Sequence, residues 1–205
     1  AGAIYPLDRG VHLIDPFEIP VHWTRYLGID WGSRAPHAVW VAEDPADGTL
    51  YAYREIAPRR TTTEPGIRSR RFIQLCQAAE DGTPEGLRHS TIYRVADSED
   101  PGAISEAAAL GWGLIPAKKG PGSVLKGIEL LEALLQTVDP VDLEPVKPRL
   151  FFFRGCVPVL WGEMEGLFWG EDKPGRDPAP DPRCPDHGPD GLRYIALLRG
   201  RMGMR

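Results

Sequence analysis

Three short apolar runs, joined by connections too brief for a helix, constrain the fold of this chain more than any other feature. Residues 26–32 are apolar until Asp30 interrupts them, residues 38–42 are apolar throughout, and Leu50–Ile56 alternates. Asp44 to Gly48 has turn chemistry. Strands joined so closely pair antiparallel, because a parallel pair needs a crossover of about a dozen residues. The period then lengthens. Residues 64–79, 103–110, Ser123–Leu135, 157–166 and 190–198 read as helices, and residues 90–96, 114–117 and Leu150–Phe153 read as strands between them. In Ser123–Leu135 the stripe Val124, Ile128, Leu131 and Leu135 lies on one helical face. A meander followed by alternating helices and strands predicts an α/β domain. Its mixed sheet has three antiparallel strands, then parallel strands, with helices flanking both. Residues 1–24 read as an irregular arm, and residues 170–189, rich in Pro, Asp and Gly, as loop or hairpin.

At 205 residues and 22.7 kDa, with 42% hydrophobic residues, the chain suits one domain with a sizeable core. No apolar run approaches the ~18 residues that a membrane helix needs. Asp8, Arg9, Asp15 and Glu18 break up the first nineteen residues, so they are not a signal peptide. The chain begins with Ala rather than Met, which predicts a fragment or a processed product. Cys76, Cys156 and Cys184 are odd in number and far apart, which predicts neither a disulfide framework nor a CxxC metal pair, and a reducing compartment. The net charge of −5 has the wrong sign for a protein that binds polyanions over its whole surface. The charge is uneven, however. Arg54, Arg59, Arg60, Arg68, Arg70 and Arg71 fall within a stretch holding only Glu55 and Glu64, and the last thirteen residues carry four arginines and no acid. Such runs fit either a solvated face or contacts to a phosphate backbone.

Three acidic positions stand out. Asp30 sits inside an apolar strand, where a charge loses hydration and needs a partner such as a cation. Gly28 and Gly32 around it let the backbone and a bulky ligand approach. Asp97 follows the strand ending at Ala96, and residues just past strand ends point into the functional crevice of an α/β sheet. Capping of the helix beginning near Pro101 is the plainer role, but Ser98 or Asp100 serves that equally well. Asp186 and Asp190, separated by His187-Gly188-Pro189, lie at a helix start, where they share a face or simply complement the helix dipole. Oxygen ligands of this kind select hard cations such as Mg²⁺ or Mn²⁺, and two such ions support phosphodiester hydrolysis.

In this order and spacing the segments resemble the nuclease domain of the large terminase subunit of tailed bacteriophages, a member of the ribonuclease H-like superfamily. Residues 25–32 look like the first acidic motif, residues 51–55 like the third strand, and residues 96–101 like the second acidic motif. Residues 115–123 with Gly127-Ile128 resemble the lysine loop and the helix after it. Residues 186–194, Asp-His-Gly-Pro-Asp-Gly-Leu-Arg-Tyr, are similar to a terminal motif that usually has Ala where Gly191 stands. The likeness covers residues 25–200. No Gly-x-x-x-x-Gly-Lys-Ser/Thr phosphate loop occurs, so the packaging ATPase half is absent from this chain. Residues 25–205 are then the nuclease domain and residues 1–24 an arm or the remnant of an interdomain linker.

The resemblance implies a two-metal endonuclease that cuts double-stranded DNA during viral genome packaging, in the host cytoplasm. The full-length protein would include an ATPase domain and meet the portal and the small terminase subunit, with no membrane involved. Asp30 would bridge both Mg²⁺ or Mn²⁺ ions, Asp97 would hold one, and Asp190 or Asp186 would complete the site. His187 would be an outer ligand or proton carrier. Lys118, Lys119, Arg59 and Arg60 would contact DNA, while Arg193 and Tyr194 would pack against the sheet. Without a base-reading module, binding should be sequence-tolerant and salt-sensitive. A junction resolvase or ribonuclease H-like enzyme would use the same carboxylates. Gly28-Ile29-Asp30-Trp31-Gly32-Ser33 also looks like the first phosphate motif of actin- and sugar-kinase-like ATP binders, whose second Asp-x-Gly loop is missing here. A non-catalytic module wearing the fold is the remaining alternative.

Overall fold

The computed structural model describes residues 2–32, 36–58, 69–81, 92–171, 175 and 177–203. Its strands are β1 (Leu13–Ile14), β2 (Thr24–Asp30), β3 (His37–Glu43), β4 (Leu50–Ile56), β5 (Ile92–Ala96), β6 (Ile115–Pro116) and β7 (Leu150–Phe153). The helices are α1 (Arg9–His12), α2 (Ser69–Asp81), α3 (Pro101–Ala109), α4 (Ser123–Leu135), α5 (Pro158–Glu165) and α6 (His187–Arg201). The strands form one mixed sheet in the order β1-β7-β4-β3-β2-β5-β6. β2, β3 and β4 are the antiparallel meander, and β5, β6, β7 and β1 pair parallel to their neighbours. This is the expected α/β mixed sheet flanked by helices.

The period-two alternation of β2 decides what lies on each face. Leu27 and Ile29 join Ala38 and Trp40 of β3 in one core, closed by Phe72, Ile73 and Cys76 of α2 and Ala103 and Ala107 of α3. Tyr26 joins Val39 and Val41 in the other core, closed by Ile128, Leu131 and Leu135 of α4 and by Leu192 and Ile195 of α6. Gly28 and Asp30 share the Tyr26 face by parity, so both are directed at α6. A Cβ added at Gly28 would lie 2.0 Å from the carbonyl oxygen of Gly191, so glycine at 28 is what lets α6 lie on the strand. The space at Gly28 thus belongs to a helix, not to the bulky ligand expected from the sequence.

Both ends of α6 are pinned. Near its C-terminus Arg199 donates to Glu43 of β3, which also accepts from Tyr26 Oη at 2.6 Å. At its N-terminus the helix begins at His187, three residues earlier than expected, because Pro189 falls among the first four residues, whose N–H groups have no helical partner. On α3 the cap is Asp100, whose carboxylate accepts from Ala103 N at 2.8 Å, leaving Asp97 outside the helix.

The N-terminal segment is not the irregular arm that its sequence suggests. β1 pairs with β7 at the sheet edge, Ile4 and Tyr5 are buried, and His12 reaches the Leu135 carbonyl at 2.8 Å. At the other end of the chain, an antiparallel bridge joins Trp169 to Pro180, the latter within the stretch expected to be loop or hairpin. No helix of the described residues is long and apolar enough to cross a membrane.

Candidate active site

Asp30 is the last residue of β2 and pairs in register with His37 of β3. It is 7% exposed. His187 Nδ1, at the start of α6, donates to Asp30 Oδ2 at 2.5 Å. Burial raises the Asp30 carboxyl above its ordinary range; the His187 contact opposes that, and the charges of Asp190 and Asp97 reinforce it. The same hydrogen bond raises His187 to about 8, against the effect of its own burial.

Asp97 follows β5, whose parallel pairing sets it beside the end of β2: its backbone N–H donates to the Ile29 carbonyl at 2.9 Å. Trp31 Nε1 donates to the Asp97 carbonyl at 3.0 Å. The Asp97 side chain accepts from Glu99 N and faces Lys119 Nζ at 2.6 Å. Lys119 gets there because β6 pairs with β5 and the Ala117 N–H bonds to the Ala96 carbonyl, which brings the lysine loop over the strand end. The ammonium also contacts Glu99 at 3.0 Å and lies 5.6 Å from the Tyr194 ring centroid. Burial disfavours the charged lysine, but the bonds to Asp97 and Glu99 prevail and raise its pKa. Lys118 is exposed, and Arg59 and Arg60 lie outside the described residues.

The third group stands on the first turn of α6. Asp186 occupies the N-cap position without a side-chain capping bond, which removes the plain helix-cap explanation. Burial, then the charge of Asp190, raises its carboxyl to about 6. Asp190 is held by Arg193 Nη2 at 2.5 Å. That guanidinium is buried, and its stem fills the space over Gly127 of α4, where an added Cβ would lie 2.0 Å from Arg193 Cγ.

A single cavity of 770 Å³ is lined by Asp30, Asp97, Glu99, Asp100, Asp186 and Asp190, with Lys119, His187 and Tyr194. All five predicted acid and histidine positions therefore meet, as does Lys119. A second cavity of 790 Å³ at Trp169 and residues 177–183 contains none of them. Six carboxylates against two lining cations make an oxygen-rich, negatively charged donor set that fits a hard divalent ion. The fit is not that of a preformed triad, however. Among the described residues no three His, Cys, Asp or Glu side chains gather around one ion position. Each of the three principal carboxylates instead carries a protein cation: His187 on Asp30, Lys119 on Asp97 and Arg193 on Asp190.

Sequence reasoning gave Arg193 and Tyr194 packing roles. Arg193 is the counterion of Asp190, and Tyr194 lines the cavity. Their spacing of three and four residues from Asp190 on one helix was the available signal.

No family model and no curated protein matches the sequence. Solved structures do match in fold. A large terminase from a thermophilic bacteriophage is 16% identical with a TM-score of 0.76, over 96% of this chain and 45% of that one. This chain thus spans less than half of that relative. The nuclease domain of the large terminase of bacteriophage SPP1, solved with bound Mn, is 23% identical over 86% of both chains with a TM-score of 0.56. The large terminase nuclease of the thermophilic phage G20c, solved with bound magnesium, is 12% identical over 95% of this chain and 96% of that one, with a TM-score of 0.63. The fold of this chain is that of large terminase nuclease domains.

Proposed function

We propose that this chain is the nuclease domain of a phage large terminase, a metal-dependent endonuclease that hydrolyses double-stranded DNA with little sequence preference during genome packaging. One observation carries the reading: Asp30, Asp97 and the Asp186–Asp190 turn, brought from three separate elements, line one cavity on a fold whose solved relatives include Mn- and Mg-bound nucleases. Asp30 would lie between two Mg²⁺ or Mn²⁺ ions, with Asp97 holding one and Asp190 and Asp186 the other. Two such ions, when bound, supply an activated water and stabilise the leaving sugar oxygen.

The protein's own groups have distinct tasks. Lys119, released from Asp97, becomes available to a DNA phosphate, with Lys118 beside it and Arg59 and Arg60 as further phosphate contacts. His187, displaced from Asp30, holds or passes a proton at Nδ1. Tyr194 fixes the wall against which Lys119 rests. Binding through phosphates alone weakens steeply with salt and reads no bases. In a full-length protein the partners would be an ATPase domain, the portal and the small terminase subunit, in the host cytoplasm.

The test is cleavage of supercoiled plasmid in Mg²⁺ or Mn²⁺ by wild type and by Asp30→Asn, with thermal melting to verify that the variant folds. Nicking and linearisation by the wild type, abolished in a folded Asp30→Asn, is the expected result. Undiminished cutting by that variant refutes the assignment.

A further inference from the structure

Three ionisable side chains, two buried and one mostly so, have no part in the chemistry above. His37 side-chain exposure is 2%, that of Glu55 6% and that of Glu163 14%. They form a chain of contacts across four elements. Glu55 of β4 accepts from Val159 N at 2.7 Å and Leu160 N at 2.8 Å, so it satisfies the free N–H groups at the start of α5. It also accepts from His37 Nε2 at 2.9 Å. The other ring nitrogen of His37 faces Glu163 of α5 at 3.6 Å. Glu163 in turn accepts from Gly188 N at 2.7 Å, inside the first turn of α6.

The contact at Gly188 is close enough to set position. A Cβ there would lie 2.6 Å from His37 Cε1 and 3.0 Å from Glu163 Oε2, so the turn rests directly on both side chains. Gly188 follows His187, which bonds Asp30, and His37 pairs with Asp30 in register. Each end of the Asp30–His187 contact is therefore one residue step from the same buried network. A core built only for stability would place apolar groups here, because buried ion pairs rarely stabilise more than hydrophobic residues of equal volume. Fixed geometry is what a hydrogen-bonded network adds.

We infer that Glu163, in ion-pair contact with His37, which Glu55 anchors from the other side, is a positioning residue that fixes the first turn of α6, and with it His187 and Asp186, against Asp30. Its effect on cleavage rests on the nuclease reading; its effect on the position of His187 does not.

The experiment uses ¹⁵N-histidine-labelled protein without metal, with the His187 ring signals assigned by their loss in His187→Gln. Glu163→Ala removes the acceptor, Gly188→Ala pushes the turn away without removing any charge, and Glu163→Gln keeps an acceptor for Gly188 N. The first two should displace the His187 ring resonances, and Glu163→Gln should return them towards wild type. The same two should raise the Mn²⁺ concentration for half-maximal thermal shift by about tenfold or more, as loss of a group supporting metal ligands does. A lower melting temperature with unmoved His187 resonances and unchanged Mn²⁺ response in the folded variants overturns the inference. Should Glu163→Ala not fold, Gly188→Ala and Glu163→Gln decide alone. Should wild type neither cleave DNA nor respond to Mn²⁺, the nuclease reading falls, while the His187 resonances still decide the positioning role.

Discussion

Gly28 and Gly191 face each other across the contact between β2 and α6, but they are not equivalent, and alanine at each should have opposite severity. A Cβ at Gly28 would lie 2.0 Å from Gly191 O, 2.6 Å from Gly191 C and 3.1 Å from Ile195 Cδ1. The first two are helix backbone and cannot turn aside. Restoring ordinary contact requires α6 to retreat by about 1 to 1.5 Å. Overpacking costs about 1–3 kcal/mol when side chains can adjust; with an immovable backbone we expect about 3 kcal/mol or more, which for a chain of this size lowers the melting temperature by roughly 6–12 °C. A Cβ at Gly191 would lie 3.1 Å from Gly28 O and 3.4 Å from Val39 Cγ1, tight but relieved by small shifts. Alanine there also recovers about 1 kcal/mol of helix propensity, so its net effect should stay within about 1 kcal/mol. The retreat in Gly28→Ala carries His187 and Asp186 away from Asp30, and on the nuclease reading a misplacement of that size should cost about a hundredfold in rate. Thermal and urea melts without metal, followed by plasmid cleavage at saturating Mn²⁺, measure both effects. Gly28→Ala melting within about 1 kcal/mol of wild type, or Gly191→Ala proving the worse of the two, would refute the reasoning.

Three further outcomes follow from the charges. Asp186, raised to about 6 from an ordinary 3.8, binds its proton more tightly folded than unfolded, so its contribution to stability is lost as pH rises from about 4 through 6. The full shift corresponds to about 3 kcal/mol, reduced to about 1–2 by its partial exposure; metal-free Asp186→Asn should therefore be more stable than wild type by that amount at pH 8, and equal stabilities in urea melts at pH 8 would count against it. His187, raised to about 8, contributes fully below about 6.5 and loses that contribution as pH rises through 8, so His187→Gln should flatten wild type's decline in that window. Lys119→Gln removes the cation on Asp97, so on the nuclease reading half-maximal Mn²⁺ stabilisation should come at lower concentration while the salt dependence of DNA binding should fall by roughly one phosphate contact. An unchanged Mn²⁺ midpoint in that variant would separate Lys119 from the metal site.

What the sequence revealed, and what it hid, follows from the range over which each signal acts. Leu50–Ile56, Ser123–Leu135 and Leu150–Phe153 were legible to the residue because each is long or apolar enough to state its own period. Asp30 was legible because a charge in an apolar strand breaks a local pattern. β1 was not, since two residues have no period and only pairing with β7 makes Leu13–Ile14 a strand. The link among His37, Glu55 and Glu163 was equally hidden: each is an ordinary polar residue beside its neighbours, and their relation exists only once β3, β4 and α5 have packed. Gly28 carried a true signal, close approach, but not the identity of what approaches.

The three cations on the carboxylates differ in how readily they can leave, and on the nuclease reading that difference ranks the ligands. Arg193 is 6% exposed and its stem is wedged over Gly127, so it stays on Asp190. The side chains of Lys119 and His187 are 31% and 33% exposed, so both can swing into solvent when a divalent ion offers Asp97 and Asp30 a stronger partner. Asp190 then enters the site with one oxygen still engaged, and Asp186, with no protein cation within ion-pair distance among the described residues, has the greater electrostatic gain from metal. On that reading the terminal pair would divide its work, with Asp190 supplying a fixed oxygen and Asp186 the charge. Asp186→Asn should weaken Mn²⁺ binding more than Asp190→Asn, in which the freed Arg193 would add a buried positive charge beside the site and cost folding stability as well.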